Sequence, residues 1–212
     1  MRALRLAVLA PIIALLPASA PGYPSAAEIL GEINRLRTNP VGYARSLEDY
    51  RRLFDPRDQR LYTMPGETLP RLSIDGAAAV DEAITALRRQ SPRIPLDVDS
   101  TLTRTARLLA DDQAITGAIG HRTAQAPTPG DRSKAASGDI YLTEAVSYGF
   151  TSPEDVVRQL VIDDGVPGRG HRRTLFSPEL RFAGVWCGPH ARRAAMCAID
   201  LSAWRGGRPT AE

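Results

Sequence analysis

Two acids, a glycine-rich turn and a histidine lie close together in the stretch SPEDVVRQLVIDDGVPGRGHRRTLFSPELRFAGVWC, Ser152 to Cys187, and these are the residue types that can do chemistry. Val156, Val157, Leu160 and Val161 mark the buried face of a helix that Ser152 caps and Pro153 begins. Continuing that face at helical spacing leads to Asp163 and Asp164 instead of more apolar residues. Both acids fall at the helix C-terminus, where the macrodipole disfavours negative charge, so a positive partner is expected nearby. His171 follows a turn containing Gly165, Gly168 and Gly170, whose backbone freedom lets the chain double back toward the helix end. Acid, turn and imidazole make half of a metal or acid–base site. The competing reading pairs the acids with Arg169, Arg172 or Arg173 at the solvated surface.

The chain has three histidines, His121, His171 and His190. His121 directly follows Gly120 in a loop, and on its own it reads equally as an exposed loop residue. Glu144 interrupts the strand-like run DIYLTEAVSYG, where an acid is either exposed at an edge or held for a purpose. A Ser-His-acid arrangement would have to use Ser147 or Ser177. The patterns H-E-x-x-H, G-x-S-x-G, C-x-x-C and the P-loop are absent.

Several elements are expected to position these groups. Helices are predicted from Ser25 to Leu36, from Asn39-Pro40 toward Phe54, from Ala77 to Leu87, and from an Asp99 or Ser100 cap to about Gly117. Pro, Gly and polar residues between 55 and 75 predict a long loop or insertion, and residues 122 to 138 read as a second loop. Phe182 to Trp186 and Ala195 to Leu201 predict a β-hairpin. Helices before and between the strands indicate an α+β fold with a small antiparallel sheet.

Residues 1–20 carry Arg2 and Arg5, an apolar run from Leu6 to Leu16 and the small-residue sequence Ala18-Ser19-Ala20, the pattern of a secretory signal peptide. The expected destination is the periplasm or the extracellular medium, with no membrane-spanning segment in the rest of the chain. The sequence has 27 Lys and Arg against 24 Asp and Glu. Removing the signal leaves a net charge near +1, which disfavours nucleic acid as a partner. Export favours a disulfide between Cys187 and Cys197 over two buried thiols, and closing so short a loop contributes roughly 3 kcal/mol in the chain-entropy model.

Taken in order, Gly120-His121, Thr143-Glu144-Ala145 with Ser147-Tyr148-Gly149, VVRQLVIDD and GHRRTLFSPELRFAGVWCG resemble the motifs of the CAP superfamily, also called SCP-like. Its members include the cysteine-rich secretory proteins, insect antigen 5 and plant pathogenesis-related class 1 proteins. The resemblance covers residues 95–203, preceded by N-terminal helices over 21–94 with the insertion at about 55–75, and followed by a tail, 204–212. It implies a three-layer α-β-α sandwich with a cleft holding His121, Glu144, Asp163 and His171. Asp163 stands where relatives usually have Glu, and Asp164 is the alternative acid. Leu160 stands in place of the usual Trp, and Ala145 in place of the usual Asn.

Such a ligand set suits zinc or another divalent cation. The resemblance implies a secreted module that binds a lipid, peptide or protein ligand. The alternative is a metal-dependent hydrolase using the same cleft, with Glu144 or Asp163 as general base and Glu144 and His171 as catalytic residues. A further alternative is a buried polar network with a structural role alone.

Overall fold

Five helices begin where a short polar side chain accepts a backbone N–H of the first turn. Ser25, Asn39, Asp99, Thr128 and Ser152 accept from Glu28, Gly42, Thr101 and Leu102, Asp131, and Asp155. They open α1 (Ala26–Thr38), α2 (Pro40–Arg51), α4 (Ser100–Thr116), α5 (Pro129–Ser137) and α6 (Pro153–Ile162). Two helices lack such a cap, α3 (Ala77–Arg89) and the short α7 (Gly170–Leu175). This computed structural model describes residues 22–209, so the expected signal peptide lies outside them.

The central sheet has the order β3-β5-β6-β4, built from β3 (Asp97–Val98), β4 (Thr143–Tyr148), β5 (Phe182–His190) and β6 (Ala194–Ser202). Strand β6 pairs antiparallel with β5, as expected, and with β4 on its other side, while the two-residue β3 adds a parallel edge to β5. Alternation along the strands divides the core in two. Val185, Cys187, Cys197, Ile199 and Leu201 belong to the cluster formed with α1, α2, α3 and α6. Val146, Trp186, Met196 and Ala198 pack with Ala106, Leu109 and Ala110 of α4 on the other side. The result is an α-β-α sandwich in which the helices before residue 95 share one core with the strands. Cys187 and Cys197 are direct partners across the hairpin and form the expected disulfide.

Helix α4 approaches β5 so closely at Gly184 that a Cβ there would overlap the backbone of Leu102 and Thr103. Arg37, fully buried, ties α1 to the segment before β3, to the end of α7 and to the loop after it by donating to the carbonyls of Ile94, Leu175 and Leu180. Burial, with Arg181 and Arg93 nearby, pushes its guanidinium down to about 10. Its partners are all backbone carbonyls, so directional bonds as well as packing hold α1 to the end of α7.

Two loop expectations need correction. Residues 55–75 contain a hairpin, β1 (Leu61–Tyr62) with β2 (Arg71–Leu72), which docks through Tyr62 on Tyr50 and Phe54. Residues 122–138 contain α5, whose start follows ordinary capping chemistry: Thr128 accepts from Asp131, and Pro129 takes the first helical position.

Candidate functional site

Asp163 ends α6 in a left-handed conformation, φ 59° and ψ 42°, which Asp tolerates better than most residues. The apolar stripe therefore stops at Ile162, and the acid turns back toward the following loop. Its Oδ2 accepts from the backbone N–H of His171 at 2.8 Å, and its Oδ1 lies 2.6 Å from His171 Nδ1. The positive charge that the helix end called for is Arg169, which donates to the Asp163 carbonyl at 2.8 Å.

Asp164 points elsewhere. It accepts from the Ser73 hydroxyl and from the backbone of Ile74 and Asp75 at 2.7 to 2.9 Å. Asp75 in turn accepts from Gly165 N–H and Arg169, and Glu82 of α3 takes both Arg169 and Arg172. The 55–75 insertion thus straps the loop that carries His171. Asp163 is the acid that meets the imidazole, and Arg169 and Arg172 pair with acids outside the site.

His121 reaches the same place from the opposite side. Gly120, at φ 89°, makes the turn available, and Tyr148 accepts its N–H while Gln113 donates to its carbonyl. His121 Nδ1 lies 2.9 Å from Glu144 Oε1. Glu144 Oε2 accepts from Arg132 of α5, which also donates to the carbonyls of His121 and Thr105. The two imidazole centroids are 6.3 Å apart.

Exposure separates the roles. The side chains of Glu144 and Asp163 are 1% exposed, whereas those of His121 and His171 are 44% and 21% exposed. Each partly exposed ring is thus held at Nδ1 by a buried carboxylate. Among the described residues, no group of three or more His, Cys, Asp or Glu side chains is arranged to hold a metal ion. His190 is used differently: its Nε2 faces the Ala118 carbonyl and its Nδ1 accepts from Arg192 and Arg193 N–H, fixing the β5–β6 turn. Ser147 bonds Gln159 and Ser177 bonds Glu179, so neither hydroxyl has a histidine partner.

Sequence reasoning missed Arg132 and Asp200. The capping signature Thr128-Pro129-Gly130-Asp131 announced the helix that brings in Arg132, and the alternation of β6 carried Asp200 to the register position opposite Glu144. Asp200 is fully buried, and burial, followed by the charge of Glu144, holds its carboxyl well above the usual carboxylate range. Thr105 Oγ1 donates to Asp200 Oδ2, which lowers the carboxyl and offsets its burial only in part, and the buried Oδ1 has no hydrogen-bond partner among the described residues.

This state has a consequence for stability. From about pH 4 upward the unfolded chain ionises Asp200 while the native one keeps its proton, so stability is lost as pH rises. Asp200→Asn should remove that loss, and its advantage over the parent in melting temperature should grow between pH 4 and pH 8. An advantage independent of pH would contradict the protonated state.

Residues 82–199 match CAP, the cysteine-rich secretory protein family. No curated protein matches the chain. Among solved structures, an outer surface protein of Borrelia burgdorferi aligns at 18% identity with a TM-score of 0.42, covering 50% of this chain and 75% of that one. The family match and the Cys187–Cys197 disulfide fit an exported protein. No described helix is long and apolar enough to cross a membrane.

Proposed function

We propose that this protein, which belongs to the cysteine-rich secretory protein family, is a binding module, periplasmic or extracellular, whose cleft holds a divalent cation between His121 and His171. The observation that carries this reading is the bonding on the inner side of each ring. Nδ1 of His121 faces Glu144 and Nδ1 of His171 faces Asp163. When the Nδ1 proton is held by a carboxylate, the neutral ring keeps its lone pair on Nε2, the form in which imidazole ligates metals.

The donor set fits zinc: two imidazole nitrogens with centroids 6.3 Å apart, each oriented by a buried acid. Glu144 and Asp163 then position the ligands, and the remaining coordination positions fall to water or a bound partner. A bound cation supplies Lewis acidity to the cleft. Two protein ligands should give weaker affinity than a closed four-ligand site.

Hydrolysis is less well supported. It needs a free general base, but both oxygens of Glu144 are taken by His121 and Arg132, and those of Asp163 by the His171 ring and backbone. Binding is therefore favoured over turnover.

Nitrogen-resolved imidazole NMR on the metal-free protein, above the range where histidine titrates, tests the arrangement with an internal control. His121 and His171 should carry their proton on Nδ1, and His190, which donates to Ala118, should carry it on Nε2. An Nε2 proton on either cleft histidine would remove the metal-ligating form.

A further inference from the structure

The two cleft histidines are held in different ways. His171 stands on α7, and both its ring and its backbone N–H are bonded to Asp163. His121 lies in a loop with its side chain 44% exposed, so packing does not fix the direction of its ring. Glu144 holds the ring at Nδ1, and a ring pinned at one atom still swings with its backbone.

That backbone is fixed by a closed circuit around Gly120, the residue before His121. Gly120 N–H donates to the Tyr148 hydroxyl at 2.9 Å. The hydroxyl donates to Gln113 Oε1 at 2.8 Å, with the Gly120 carbonyl a longer second acceptor at 3.3 Å. Gln113 Nε2 closes the circuit by donating to the Gly120 carbonyl at 2.8 Å. Gln113 is fully buried, and burial raises the Tyr148 phenol above its ordinary range, so the hydroxyl keeps the proton it donates. Glu144 and Tyr148 are four residues apart on β4 and share one of its faces. One strand therefore sets both the imidazole, through Glu144, and the loop that carries it, through Tyr148.

We propose that Tyr148 is a positioning residue for the His121 imidazole, acting through Gly120 and Gln113. Loss of the hydroxyl opens the circuit at two bonds: Gly120 N–H loses its acceptor and Gln113 Oε1 its donor. The loop then no longer fixes the ring, while His171, on a separate element, keeps its place. The effect on metal affinity rests on a cation in the cleft; the effect on the ring does not.

The test compares Tyr148→Phe, which keeps the aromatic ring against His190, with Ile33→Val, a change in the fully buried core of α1 on the other side of the sheet. In imidazole NMR of the metal-free proteins, Tyr148→Phe should shift and broaden the His121 signals and leave those of His171 in place, and Ile33→Val should alter neither. In zinc calorimetry, Tyr148→Phe should bind about tenfold more weakly than the parent, and Ile33→Val as tightly as the parent. Gln113→Leu, which breaks the same circuit on its other side, should repeat both changes. Parent-like His121 signals in Tyr148→Phe overturn the proposal, as does parent-like zinc affinity. Equal losses in Ile33→Val also overturn it, because the effect would then be one of general stability. A parent that binds no zinc removes the cation from the cleft instead, and the histidine signals then decide the positioning alone.

Discussion

Arg132→Ala is expected to destabilise the protein by about 3–5 kcal/mol, the cost of leaving one member of a buried ion pair without its partner. Arg132 is 3% exposed and holds three groups at once: the Glu144 carboxylate and the carbonyls of His121 and Thr105. Its removal strands Glu144 beside the buried Asp200 and frees the loop that carries His121. Arg132→Lys should recover only part of the loss, because an ammonium cannot reproduce the guanidinium fork. Combining Arg132→Ala with Glu144→Gln should cost less than Arg132→Ala alone, since the stranded charge is gone. Denaturant unfolding of the four proteins gives the comparison, and a loss below about 1 kcal/mol for Arg132→Ala would mean the pair behaves as a solvated surface bridge.

Gly184→Ala should be at least as damaging, for a different reason. A methyl group at this position meets backbone atoms of Leu102 and Thr103, which cannot rotate away as a side chain would. Helix α4 must then lift from β5, opening the cluster of Leu109, Trp186 and Met196 that lies between helix and sheet. The expected loss exceeds about 4 kcal/mol, or the protein fails to fold. Gly31→Ala, on α1 with open space around it, is the control and should stabilise by about 0.5–1 kcal/mol. Equal effects at the two glycines, measured by thermal unfolding, would contradict the close packing of α4 on the sheet.

Much of the architecture was legible because local rules and the hydrophobic pattern agreed. Ser25, Asn39-Pro40, Asp99 and Ser152-Pro153 begin helices where the sequence indicated. The β5–β6 hairpin and its disulfide followed from two β-rich runs and two cysteines. What escaped notice depends on contacts between distant segments. The parallel β3 edge is two residues long, and the β1–β2 hairpin is pinned by Asp164, about 90 residues away. Neither leaves a periodic trace.

The site divides in the same way. Asp163 and His171 are eight positions apart, so their meeting could be argued from a helix end and a turn. His121 and Glu144 were joined by family resemblance, because each alone read as a loop residue and a strand residue. Arg132 and Asp200 were invisible as site residues: one lay in a segment read as loop, and the other is an acid in a strand whose partner is set by register. Which of Asp163 and Asp164 turns inward was decided by the left-handed conformation at the first, a backbone feature that composition does not encode.

Zinc titration by calorimetry, on the protein and on its His121→Ala/His171→Ala double variant, tests the central claim most directly. The two rings, each backed by a buried carboxylate, should give one saturable site in the micromolar range that vanishes in the double variant, which should stay folded at the titration temperature but melt below the parent because Glu144 and Asp163 lose their imidazole partners. Absence of saturable binding, or equal binding by both proteins, would contradict a metal-holding cleft and leave the histidine–carboxylate pairs as structural bonds.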